Sequence, residues 1–265
     1  MEFLTILLSS VLGLVSVAGL VIDRTAENAI RSQFEKVEHL QVRVDNAPSY
    51  QLLQGKVERV RIAGRQLQLK EQDLTIAALE LETDPIHLTL RSLEPCQLKL
   101  KRPLQAGVRL VLTQEHINQA LQSWELAELR HLLINESNFT DEPEQRYNFV
   151  NPRVEFLDNR LRFQVEVQEQ GNINKPLAIT VESGLSVEAG RLIQLVEPSV
   201  SVNGEAVSTQ FVSAIATNLA KRLDFRNFEG YGLTARVLQL KVTPQKLEIA
   251  AFLRVEPSSR FLDLR

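Results

Sequence analysis

Gly55–Leu69 reads GKVERVRIAGRQLQL. Within it Val60 and Ile62 alternate with Arg59 and Arg61, and Leu67 and Leu69 alternate with Gln66, Gln68 and Lys70. A period of two puts every second side chain on one face of an extended strand, whereas a helix would need 3.6. The segment therefore predicts half-buried antiparallel sheet. Ile86, Leu88 and Leu90 repeat the pattern against His87 and Thr89. Between them the apolar parity changes, from Leu74 and Ile76 to Leu79 and Leu81, which predicts a bulge or bend near Ala77 and Ala78. Val108, Leu110 and Leu112 close this run of strands, and Thr113 stands as the N-cap of a short helix carrying Ile117, Ala120 and Leu121.

From Ser123 to Asn148 the character changes. A helical stretch, Trp124 to Leu133, leads into acidic, turn-rich sequence around Asp141, Glu142 and Pro143, the best internal boundary of the chain. Alternation then resumes. Val154 and Phe156 are expected to face Leu161, Phe163, Val165 and Val167 across a turn at Asp158-Asn159. Further turns are expected at Ala189-Gly190, Asn203-Gly204 and Thr243-Pro244-Gln245-Lys246. The strongest helical pattern of the body lies between the last two of these. It runs from Val207 to Leu223, with Phe211, Ile215, Leu219 and Leu223 on one face and Lys221 and Arg222 at the end where cations suit the helix dipole.

Phe3 to Ile22 carries no charge, and as a helix it would span roughly 30 Å, enough to cross a bilayer. The reading is a transmembrane anchor over 1–22. A cleaved export signal or a buried helix are its alternatives, and Glu2 in place of a basic n-region argues against cleavage. Ala26, Ile30, Phe34 and Val37 recur at helical spacing, so a connector helix is expected over 23–37, then the body over 38–255 and a tail over 256–265. The positive-inside rule, applied to Arg24, Arg31 and Lys36, would keep the body cytoplasmic, but it is weak for large translocated domains.

The chain has 265 residues and a net charge of −3, with acids and bases mixed throughout, so no basic field exists to neutralise a run of nucleic-acid phosphates. The only cysteine, Cys96, excludes an internal disulfide. The four histidines show no metal-ligand spacing, and neither a Gly-rich phosphate loop, a Gly-x-Ser-x-Gly turn nor a His-Glu-x-x-His helix occurs. No enzyme, no metal and no cofactor is expected, and the sequence names no protein partner.

Four ordered segments carry a resemblance: LLQGKVERVRIAGRQLQL at 52–69, LTIAALELETDPIHLTL at 74–90, LQAGVRLVLTQEHINQAL at 104–121 and LVEPSVSVNGEAV at 195–207. Together the sequence resembles the LmeA-type phospholipid-binding family, formerly a domain of unknown function, and most of all its cyanobacterial members. That resemblance implies a mainly β (α+β) fold. In it an elongated, curled antiparallel sheet wraps around one long and one or two short amphipathic helices, similar to tubular lipid-binding proteins, with an apolar channel for acyl chains. It implies an exported, envelope-associated protein whose partners are membrane lipid and the membrane itself, with phospholipid as the bound species. The family transfers no residue signature.

From the residues, Phe211, Val212, Ile215 and Leu219 are the first choice to line such a channel, with plain core as the alternative. Trp124 and Leu126 are candidates for its mouth, against a half-buried contact under a loop. Arg59, Arg61 and Arg65 are candidates to meet a headgroup phosphate, against the wet face of a strand. Aromatic residues make up only 6% of the chain and few helices are available to cover many strands, so an acyl chain could fill what side chains leave open; the alternative is an ordinary packed sandwich. The rival function is a structural or assembly module of a membrane complex.

Overall fold

The computed structural model describes residues 30–32, 34–45, 54–70, 74–89, 99–123, 147–169 and 172–260. Cys96, Trp124, Leu126 and the apolar stretch from Phe3 to Ile22 lie outside them. Among the described residues no helix is long and apolar enough to cross a membrane. The connector helix needs correcting at its end: Ile30 and Arg31 are helical, but a strand has begun by Phe34. Phe34 and Val37 look helical only because the first strand has a bulge between Phe34 and Lys36, which shifts the alternation by one.

The chain is mainly β. Strands β1 (Phe34–Asp45), β3 (Arg59–Leu69), β4 (Thr75–Thr83), β7 (Leu104–Thr113), β13 (Leu233–Val242) and β14 (Lys246–Val255) form an antiparallel sheet in the order β1-β3-β4-β7-β14-β13. A small sheet joins β2 (Lys56–Val57), β5 (Ile86–Thr89) and β6 (Lys99–Leu100). A third sheet runs β12-β11-β10-β9-β8, from β8 (Tyr147–Phe156), β9 (Arg160–Glu169), β10 (Asn172–Glu188), β11 (Leu192–Val202) and β12 (Glu205–Ala206). The strands thus divide between separate hydrogen-bonded sheets. Helix α1 (Gln114–Ser123) follows β7, α2 (Thr209–Arg222) follows β12, and a 3-10 helix, Phe225–Tyr231, leads into β13. Most of the stretch 123–148, the expected boundary, lies outside the described residues; β13 and β14 return to pair beside β7, so the six-stranded sheet takes strands from both sides of it.

Register makes the six-stranded sheet one buried face. Val42, Ile62, Leu81, Val108 and Ala251 stand in one row across five strands, and Leu40, Gly64, Leu79, Leu110 and Ile249 in the next. The same buried cluster includes Ile193 from β11, Leu185 and Val187 from β10, and the Phe225 and Phe228 side chains of the 3-10 helix, with β10 and the 3-10 helix lying against β13. The tip of the β10–β11 hairpin therefore enters the core of the first sheet. It is held there by the Val237 amide, which donates to the Gly190 carbonyl at 2.6 Å.

The bend expected near Ala77 and Ala78 is present, and it crosses three strands. Gly64 and Leu67 are both buried, with Arg65 and Gln66 exposed between them; Ile76 and Leu79 are likewise buried on either side of Ala77 and Ala78. Val37 pairs with Leu67 and Leu67 with Ile76, while Leu40 pairs with Gly64 and Gly64 with Leu79. Each strand spends three residues where alternation needs two, so pairing stays in step while the face changes. Gln66, at φ 50, absorbs the turn in the left-handed region.

The expected turns are found where the chain must take positive φ: Asn159, Ala189-Gly190 and Asn203-Gly204. Thr113 caps α1, its Oγ1 accepting from the His116 amide at 3.3 Å. Pro152 sits on the edge strand β8 at a bulge between Val150 and Arg153, a place where a missing amide costs no ladder bond.

Candidate functional site

The third sheet has two unlike faces. On one, Arg162 bridges Glu155 at 2.7 Å and Glu182 at 3.1 Å, and Arg160 reaches Glu182 at 3.0 Å. The guanidinium of Arg162 lowers the pKa of Glu182 below its ordinary value against the opposing effect of burial, and Arg160 assists. This is the wet face.

The other face is apolar. Val154, Phe163, Val181 and Val200 form one cross-strand row, and Phe149, Val167 and Leu177 another, with Val165, Ile179 and Val202 between them. Phe149, Val165 and Val167 are buried, packed with Phe163 and Ile179 into a cluster separate from the main core. Val154, Phe163, Ile179, Val181 and Val202 are only half-buried, and Leu177 at the rim is 44% exposed. Aliphatic β-branched residues dominate because they suit a pleated surface.

Helix α2 runs back along β11. The Val207 amide just before it donates to the Val200 carbonyl at 3.0 Å, and the Leu223 carbonyl just after it accepts from the Ile193 amide at 3.3 Å. Val212, Ala216, Leu219, Ala220 and Leu223 are half-buried. The Ser213 and Thr217 hydroxyls are exposed, and each donates to the carbonyl four residues earlier at 2.8 Å. The arrangement is an apolar floor of strands beside an amphipathic helix.

Val212 and Leu219 thus lie on the helix expected to line a channel. Phe211 and Ile215 belong to the same helix, but their side chains, like Trp124 and Leu126, lie outside the described residues. The floor strands were legible as strands, yet nothing local indicates that α2 runs along β11, so Phe163, Ile179 and Val181 escape a sequence reading of the site. The arginines are elsewhere, on the outer face of the six-stranded sheet. Arg59 pairs with Glu82 at 3.0 Å, Arg61 is bound by Asp45, and Arg65 is exposed. Arg61 and Arg43 lower the pKa of Asp45.

That outer face holds a groove of about 610 Å³ lined by Arg43, Ala63, Glu80, Gly107, Arg109 and Leu238. Arg109 spans it, bonded to Glu80 at 3.0 Å and Glu248 at 2.6 Å. Charged walls make it a poor home for an acyl chain, because stripping water from ion pairs is costly where burying methylenes is favourable. A second groove, of about 550 Å³, separates α1 from the bulge of β8 and is of mixed character, with Leu121, Val150 and Pro152 in its lining beside Asn118, Asn151 and Arg153. Among the described residues no three His, Cys, Asp or Glu side chains converge as metal ligands.

No curated protein and no solved structure matches the chain. The family model of LmeA-like phospholipid-binding proteins matches residues 14–252, most of the chain, from before β1 to within β14. The chain belongs to the LmeA-like phospholipid-binding family.

Proposed function

We propose that this protein holds the acyl chains of a phospholipid on the apolar face of β8–β11 alongside α2, with the headgroup left in water, and that it carries or presents lipid close to a membrane. The single observation behind the reading is that face: a broad aliphatic surface on which Val154, Phe163, Ile179, Val181 and Val202 remain half-buried around a small buried cluster, while the main core is closed by its own residues. Each methylene moved out of water is worth about 0.8 kcal/mol, so transfer from bilayer to an equally apolar cleft is close to neutral and the headgroup sets the barrier. Sheet and helix act as a half-tube, with Phe211, Val212, Ile215 and Leu219 as its helical wall and Trp124 and Leu126 near its mouth. The uncharged stretch Phe3–Ile22 tethers the body to a bilayer, on the exported side that the family resemblance implies. No chemical step is required. The charges of Arg59 and Arg61 are already matched by carboxylates, so the headgroup is not assigned to them.

Purification of the full chain in a non-lipid detergent, native mass spectrometry and solvent extraction test this reading. A stoichiometric phospholipid is expected. A lipid-free protein that also takes up no fluorescent phospholipid from vesicles would refute it. The rival, an assembly module that uses the β body as a protein platform, would then lead, and pull-downs would follow.

A further inference from the structure

The C-terminal end of α2 and the 3-10 helix after it gather cations. Arg191 reaches this place through its carbonyl, which accepts from the Phe225 amide at 2.9 Å. Lys221 and Arg222 end α2, and Asn227 folds back to donate to the Lys221 carbonyl at 3.1 Å. At the far end of the 3-10 helix, the Arg260 guanidinium carbon lies 6.0 Å from the centre of the Tyr231 ring. Of the neighbouring cations, Arg226 is bound by Asp224, and Arg236 by Glu229 at 2.8 Å. Lys221, Arg222 and Arg260 have no carboxylate within ion-pair distance among the described residues, and Arg191, though it makes no ion pair, is near enough to help lower the pKa of Asp224. The chain as a whole is net negative, at −3. Several arginines elsewhere on the surface are matched, Arg59 with Glu82, Arg109 with Glu80 and Glu248, Arg162 with Glu155 and Glu182, while Arg65, Arg102 and Arg153 are exposed singly on other parts of the chain.

The chain between these cations presents an apolar foot. Phe225 and Phe228 point into the core, whereas Tyr231 is 48% exposed, and a Cβ on Gly230 beside it would meet nothing within 4 Å. Tyrosine favours the headgroup level of a bilayer, where its ring is apolar and its hydroxyl wet.

From this combination we infer that the end of the body formed by Arg191, Lys221, Arg222, Tyr231 and Arg260 docks on the anionic headgroup surface of a bilayer. The inference rests on the phospholipid reading and adds where the body touches the membrane and which lipid charge it needs. The tether holds the chain near a membrane; this patch sets which end faces it. Each cation near an anionic surface adds about 1 kcal/mol of attraction that salt screens within a Debye length, so three of them change partition on the order of a hundred-fold.

The test uses the full chain with Cys96→Ser and an environment-sensitive fluorophore on Gly230→Cys. It is reconstituted with vesicles of phosphatidylcholine alone or with about a third phosphatidylglycerol. A blue shift of emission is expected on the anionic vesicles only, lost at 0.5 M NaCl and lost in K221E/R222E/R260E. The neutral variant K221Q/R222Q/R260Q should lose most of it as well, with thermal unfolding confirming that both variants fold. An equal shift on both vesicle types, or a shift that survives charge reversal, would overturn charge-dependent docking. No shift with phospholipid uptake intact would overturn the docking and leave the lipid reading standing. Loss of both would remove the lipid reading as well.

Discussion

Asn118 pairs with Val154 as a neighbouring strand would. Its Oδ1 accepts from the Val154 amide at 2.7 Å and its Nδ2 donates to the Val154 carbonyl at 2.8 Å, while the Phe156 amide donates to Gln114 Oε1 at 2.7 Å. Two side chains of α1 thus satisfy the outer edge of β8, which would otherwise offer unpaired backbone to another chain. Asn118→Ala should cost about 1–3 kcal/mol, because both backbone groups of Val154 lose their partner. Asn118→Asp, which keeps an acceptor and loses the donor, should cost less. Urea unfolding of the two variants measures the difference, and equal stability of Asn118→Ala and wild type would show that water replaces the amide fully.

Two glycines should respond oppositely to alanine. Gly232 has φ 80, and a Cβ there would lie 2.8 Å from the Ser259 backbone, so Gly232→Ala should destabilise by roughly 1–3 kcal/mol. Gly107 sits in β7 with nothing within 4 Å of an added Cβ, and Gly107→Ala should be neutral or slightly stabilising. Thermal denaturation of the two single variants separates them.

Leu177→Glu tests the apolar face at its rim, where 44% exposure leaves room for a carboxylate without breaking the fold. Phospholipid uptake from vesicles should fall several-fold while the unfolding midpoint moves little, since surface changes are usually within about 0.5 kcal/mol. Leu177→Met should retain uptake. A Leu177→Glu protein with undiminished uptake would move the lipid away from this edge.

Acid should weaken the fold partly through Glu182. Its carboxyl titrates below the usual range in the folded state, chiefly through the Arg162 hydrogen bond. The unfolded chain therefore binds its proton first as pH falls. Glu182 contributes stability above the ordinary carboxylate pKa, and the contribution disappears between that value and the lower folded one. Denaturation midpoints followed from pH 7 to pH 3 should drop less steeply in Glu182→Gln than in wild type. The Glu182 carboxyl resonance should also titrate at higher pH in Arg162→Gln.

Most strands after β1, their turns and both main helices were legible because each rests on local periodicity or a residue able to take positive φ, as at Asn203-Gly204. The bend at Gln66 was legible as a change of parity on β4. What escaped were pairings between distant segments. That β14 lies beside β7, that the Ala189-Gly190 hairpin tip plugs the first core, and that Arg59 and Arg61 meet Glu82 and Asp45 all depend on register across sheets. Phe34 and Val37 misled for a related reason: a bulge in a strand can imitate the three-residue spacing of a helix.

The bend shared by β1, β3 and β4 behaves like a reading frame. Removing Gln66 alone would restore plain alternation to β3, and leave it straight between two strands that still turn, with Leu67 and Leu69 out of phase with Ile76 and Val37. Only matched deletions in all three strands would bring the rows back together. Length changes in this sheet are therefore tolerated in sets and not singly, which makes its strand lengths, more than any one side chain, the quantity the fold holds fixed.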